Sequence, residues 1–261
     1  MNKDLLLLKL ALRDARRPGA VLASLLLVGL PALLGLIHVQ MRRFTHTAPE
    51  VGYDLLAGLL VFGFSLVILA VVHGTSIVSQ EMEQKTIVFL LTRPVPRYRV
   101  LLARFLAAAF VVTCTVCLST VLLALLVFGP DGLSRPQVQR DLTVLPLGAL
   151  AYTSLFALLS TFLQRPLIYG LGFAFGWESW VPFMPGSFRH LSVMTYVRAL
   201  AAHQPPEDLP NRMTALLNLL NPTQIAPGAA RLVLFGIIGV CLGLALWIFS
   251  HREYVPADAA E

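Results

Sequence analysis

Charge is scarce in this chain. Asp, Glu, Lys and Arg make up 13% of it and hydrophobic residues 57%, where soluble domains carry about 25% and about 45–50%. That leaves too little polar surface to coat a water-facing globule. Cysteine is almost missing: Cys114, Cys117 and Cys241 are the three present, all within apolar blocks. An odd count in such places gives no disulfide framework. No G-x-x-x-x-G-K-[ST] loop occurs, so the chain cannot cradle ATP phosphates in that way, and ATP-driven work would need a partner. No basic cluster is interleaved with stacking aromatics either. The net charge of +6 therefore argues for cations flanking membrane spans and meeting anionic headgroups, and against nucleic acid as a partner.

What the chain has instead is long apolar blocks, with a mean hydropathy of +0.75. Each block approaches the roughly 20 residues that cross a bilayer. They lie at 20–39, 55–78, 105–128, 142–163, 167–181 and 229–249. The expected fold is all-α: a single transmembrane domain over 1–261 with six membrane-spanning helices. The fifth block is short, and residues 167–203 read either as a full span or as a re-entrant hairpin. Residues 1–19 read as an amphipathic interfacial helix, with Leu5, Leu8, Leu12 and Ala15 on one side and Lys9, Arg13, Arg16 and Arg17 on the other. Charges recur through its apolar stretch, which does not fit a cleavable signal peptide. Residues 183–226 form a proline-rich outer segment, with short helices expected near 187–203 and 210–220. With both termini cytoplasmic, the cytoplasmic segments hold twelve Lys and Arg and the outer ones eight, the bias that sets orientation.

Between the second and third spans, residues 80–104 read QEMEQKTIVFLLTRPVPRYRVLLAR. Glu81 and Glu83 begin a short helical piece, and Ile87, Leu90 and Leu91 give it an apolar face. Pro94 and Pro96 end it, because proline disfavours helix at the residue before it. Such a face rests on headgroups or docks in a groove of a cytoplasmic partner.

This segment resembles the coupling segment of permease subunits of ATP-binding cassette (ABC) transporters of the type-2 exporter class. The matching positions are Glu81, Thr86, Leu90, Leu91, Thr92, Pro94 and Arg97; Lys85 stands where the family often has Gly. A second stretch, YGLGFAFGWESWVPFMPGSFRHLSVMTY at 169–196, resembles a subgroup that includes the permease maturing the copper sites of nitrous oxide reductase. Its marks are a Trp-Glu near the end of a short span, a Pro-Gly, and a Ser followed by a Tyr. The resemblance implies a non-catalytic subunit in a bacterial inner membrane. It implies two permease copies, and two cytoplasmic ATPase subunits that bind ATP and magnesium. Residues 80–98 would be the coupling helix, with Glu81, Thr86, Leu90, Leu91, Pro94 and Arg97 in contact with the ATPase. This chain binds no cofactor in that scheme. Export of a substrate and ATP-driven action on an outer or periplasmic partner are both compatible with it.

Glu178, flanked by Trp177 and Trp180, is the most informative residue within the spans. An intramembrane carboxylate is costly and suggests function. Two roles stand side by side: pinning the broken outer segment, or lining the pathway or an outer gate. His73 in the second span reads as hydrogen-bonded to a neighbouring helix. Cys114 and Cys117 share a helix face and offer soft ligands for copper(I), with Met184, Met194 and Met213 in the outer segment; small apolar packing explains the pair more simply. Gly236, Gly239 and Gly243 suggest close helix packing, within the subunit or across a dimer. An intramembrane enzyme would need paired acidic or His groups, and an ion-driven carrier internal repeats with several intramembrane charges; neither pattern is found in the sequence.

Overall fold

A computed structural model describes residues 9–12, 18–45, 48–83, 96–184, 186–201 and 225–251. Among these, regular structure is helical throughout. Helix α1 is Pro18–Thr45. Helix α2 covers 49–83 in three continuous pieces: Pro49–Leu56, a wider π-helical stretch Ala57–Leu66, and Val67–Glu83. Helix α3 is Arg97–Phe128 and α4 is Pro136–Phe162. Helix α5 begins as Pro166–Gly172 and ends in a second π-helical stretch, Phe173–Glu178. After short 3-10 turns at Val181–Phe183 and Gly186–Leu191 come α6, Val193–Ala201, and α7, Pro227–His251.

Backbone groups have no water to bond in hydrocarbon, so helices that satisfy their own ladder are the stable spanning form. Pro31 and Pro146 lie inside α1 and α4 without ending them. Buried hydroxyls are settled locally in the same way. Thr75, Thr120, Ser154 and Ser160 donate to carbonyls three or four residues back on their own helices. Ser65 instead reaches across from α2 to the Leu27 carbonyl of α1, at 2.9 Å.

Six spans are expected from the sequence, the fifth as a full span or a re-entrant hairpin. Among the described residues, five helices are long and apolar enough to cross a membrane: Gly19–Arg42, Pro49–Val78, Arg97–Phe128, Pro136–Phe162 and Pro227–His251. The fifth block, expected at 167–181, is not one of them. Its α5 comprises 7 residues followed by 6 in the π form, about 20 Å at 1.5 Å per residue, against about 30 Å of hydrocarbon. The first span runs past its expected limit of 39, to Arg42, and the helices that hold the first two spans continue to Thr45 and Glu83.

The contacts fix which ends lie together. Ile77 and Val78 of α2, Leu101 and Phe105 of α3, Ala157 of α4, and Ala245 and Phe249 of α7 share one apolar cluster. A larger cluster holds Tyr53, Phe62, Leu66, Leu123, Leu145, Tyr152, Phe156 and Met194. Ser24 of α1 stands beside His73 of α2, and Gly35 beside Leu123 of α3. Thus α1 and α3 run in one direction and α2, α4 and α7 in the other. Between Phe162 and Pro227 the chain must pass from one end of the bundle to the other. Residues 166–201 make that climb in two steps along α2. Gly170 packs by Thr75 and Val71, the Phe175 ring lies 6.4 Å from that of Phe64, and Arg198 reaches the Gly58 carbonyl.

Close approach is clearest where α2 meets α4. A Cβ on Gly74 would lie 2.7 Å from the Phe156 Cβ and 3.3 Å from the Thr153 carbonyl oxygen. Only a residue without a side chain lets these backbones come so near.

Candidate functional site

Glu178 sits at the joint between the two steps. It ends the π-helical stretch of α5 and is 4% exposed. Its Oε2 accepts from the Ser192 hydroxyl at 2.5 Å and from the Met194 N–H at 3.3 Å, and its Oε1 accepts from the Val193 N–H at 3.0 Å. Val193 and Met194 are the first residues of α6, whose opening N–H groups have no partner inside their own helix. The carboxylate therefore caps α6 from a distance of fourteen residues or more in sequence, and its charge suits the positive end of the helix. These bonds tie the end of α5 to the start of α6.

Around this cap lies a polar cluster inside the bundle. Tyr152 of α4 is fully buried, and its hydroxyl faces the Glu178 carboxylate without a hydrogen bond of ordinary geometry. Arg198 of α6 is 7% exposed. Its Nη2 donates to the Gly58 carbonyl at 3.4 Å, while Nε and Nη1 are buried with no partner. Phe183 covers the guanidinium, with the ring centroid 5.3 Å from Cζ. Gly63 leaves the room Arg198 occupies, since a Cβ there would stand 3.1 Å from Nη2. Both π-helical stretches border the cluster, and such stretches are frequent at functional sites.

The sequence reading missed Arg198 and Tyr152. Arg198 is among the cations assigned to the outer segment; the structure instead buries α6, leaving only Tyr196 of its residues half-buried. A lone arginine in a short helix carries no sequence sign of this, because its burial depends on Glu178, Gly58 and Gly63 from elsewhere in the chain. The flanking tryptophans are exposed, Trp177 by 41% and Trp180 by 69%. Trp177 Nε1 donates to the Leu191 carbonyl at 3.4 Å, and neither ring enters the polar cluster's bonding.

The remaining candidates divide clearly. Of the coupling residues, Thr86, Leu90, Leu91 and Pro94 lie outside the described residues, as does the side chain of Glu81; the Glu81 backbone is the last turn of α2. Arg97 opens α3, half-buried. His73 is 3% exposed, with Nε2 3.4 Å from Ser24 Oγ on α1. Cys114 is exposed and Cys117 half-buried on α3. Among the described residues no group of three His, Cys, Asp or Glu could hold a metal. Met194 is in the core and Met184 is exposed, so these two thioethers do not share a surface; Met213 lies outside the described residues. Gly236, Gly239 and Gly243 on α7 have nothing within 4 Å of a built Cβ. Among the described residues no close packing occurs there, and Leu232, Phe235, Val240 and Trp247 are exposed on the same helix.

A second buried acid ties the start of α2 to the start of α4. Tyr53 of α2 donates to Asp141 Oδ2 of α4 at 2.7 Å, with both residues fully buried.

A family model described as ABC-2 family transporter protein matches residues 12–254. The chain belongs to this family. No curated protein matches it. For an ABC-2 transporter protein the bundle is the membrane domain: five apolar helices long enough to span around a core in which the carboxylate already described closes a break. The family also implies a cytoplasmic ABC ATPase as partner.

Proposed function

We propose that the chain is the membrane-spanning permease subunit of an ABC exporter in a bacterial inner membrane. The observation that carries this is the family match over 12–254, joined to a sequence with no phosphate-cradling loop. ATP and magnesium are bound by two copies of a separate cytoplasmic ATPase. This chain does no catalysis. Two permease copies form the pathway, and the bare glycine face of α7 is suited to close contact with the second copy. Residues 166–201 serve as a sixth, broken crossing, which keeps both termini in the cytoplasm. Residues 80–98 act as the coupling helix, with Glu81, Thr86, Leu90, Leu91, Pro94 and Arg97 meeting the ATPase. Placement in the subgroup of the nitrous oxide reductase maturation permease rests on the Trp-Glu stretch.

The test is a gentle-detergent pull-down of the tagged chain from its native membrane, beside an E81A/R97A double variant. Recovery of a cytoplasmic ATP-binding subunit with the native chain, and less with the variant, supports the reading. Recovery of none with either, under conditions that hold a control ABC complex together, overturns it in favour of an ion-driven carrier or an intramembrane enzyme.

A further inference from the structure

We propose that Arg198 and Tyr152 form a binding site inside the bundle for the oxyanion, phosphate or carboxylate, of an amphiphile drawn from the bilayer, with Phe183 as its cover. Only the consequence, that the occupant is the permease's cargo, rests on the function proposed above.

Unspent donors carry the argument. A buried guanidinium left without partners is expensive, and more so in a medium of low dielectric. Arg198 offers five N–H donors in a planar fork, and among the described residues its one hydrogen bond is the long contact to Gly58. Nε and Nη1 are both buried and make no hydrogen bond, so an oxyanion can be gripped by two parallel bonds at the fork edge that the second N–H of Nη2 completes. The nearby carboxylate does not fill that edge, because Glu178 is already occupied by Ser192, Val193 and Met194. The Tyr152 hydroxyl, which faces Glu178 without a hydrogen bond of ordinary geometry, lies in the same cluster. The local balance is thus rich in donors and short of one anionic acceptor.

The way in argues for an amphiphile over a free ion. Phe183 stacks on the guanidinium while 43% exposed, so turning this one ring would uncover the site from the side of the bundle. The turn around it is apolar and open: Trp180, Phe188 and Leu191 are more than half exposed. An alkyl chain can lie along that surface while its headgroup reaches Arg198.

The probes are dodecyl phosphate and dodecanoate, with neutral dodecanol as control, titrated against the purified full-length chain in a maltoside detergent. Any ATPase that copurifies is left in place, and no ATP is used. Failure here therefore stays distinct from failure of the pull-down. The expected result is saturable binding of at least one anion and none of dodecanol, weakened about tenfold or more in R198Q. Tighter binding of one probe identifies the headgroup as phosphate or carboxylate. R198K, which keeps the charge and loses the fork, should fall between. F183A, at an exposed position, should bind the anion with a faster association rate than the native chain. Saturable dodecanol binding equal to that of the anions, or an unchanged anion affinity in a folded R198Q, overturns the proposal. If R198Q does not elute as a folded species, an unchanged association rate in F183A overturns it instead.

Discussion

Replacing Glu178 with glutamine keeps the side chain's shape and removes its charge. The native carboxylate receives two donors at one oxygen, Ser192 and Met194, and one at the other, Val193. A glutamine has one acceptor oxygen. Its best placement keeps the pair and turns an NH2 toward the Val193 N–H, leaving a buried donor facing a donor. The loss should be about 1–3 kcal/mol for the stranded N–H, with a smaller addition from weaker attraction to the end of α6. Glu178→Ala removes all three bonds, and its cost should clearly exceed that of Gln. Ser192→Ala removes only the shortest and should cost the least. The assay is a thermal melt of detergent-purified protein followed by size-exclusion fluorescence, with the three variants run beside the native chain. The order native, S192A, E178Q, E178A is the prediction. If E178Q melts with the native chain, or E178A is no worse than E178Q, the carboxylate does not hold the joint between α5 and α6.

Other substitutions separate contacts that look alike in sequence. Gly74→Ala should destabilise the chain by about 1–3 kcal/mol, read by the same melt, since its methyl would meet the Phe156 Cβ at 2.7 Å. A Cβ at Gly239 would meet nothing within 4 Å among the described residues; Gly239→Leu should leave the melting temperature unchanged and shift the oligomeric state measured by light scattering of the detergent complex. Tyr53→Phe strips a 2.7 Å bond from a fully buried Asp141 carboxylate and should cost about 1.5–3 kcal/mol, whereas Tyr98→Phe, at an exposed site on α3, should cost almost nothing.

The membrane class, the all-helical fold and the rough place of five spans could be read directly from the sequence. They depend on block length and composition, and lipid as solvent forces long apolar runs into self-satisfied helices. Glu178 was also visible, because a carboxylate in an apolar block is conspicuous whatever surrounds it. Its role was not. Whether it pins or conducts depended on which N–H groups the turn at 179–192 brings back to it, and that is a matter of where α6 lies against α2 and α4. Arg198 shows the limit more sharply. By composition it is a cation near a membrane surface; tertiary packing alone puts it under Phe183, beside Gly63 and the Gly58 carbonyl of α2. The two glycine patterns reverse for the same reason. The GxxxG of α7 has the familiar spacing and touches nothing among the described residues, while Gly74, with no motif around it, holds two helices at contact. Periodicity is local and settles which residues share a helix face; which face meets another helix is decided by the whole bundle at once.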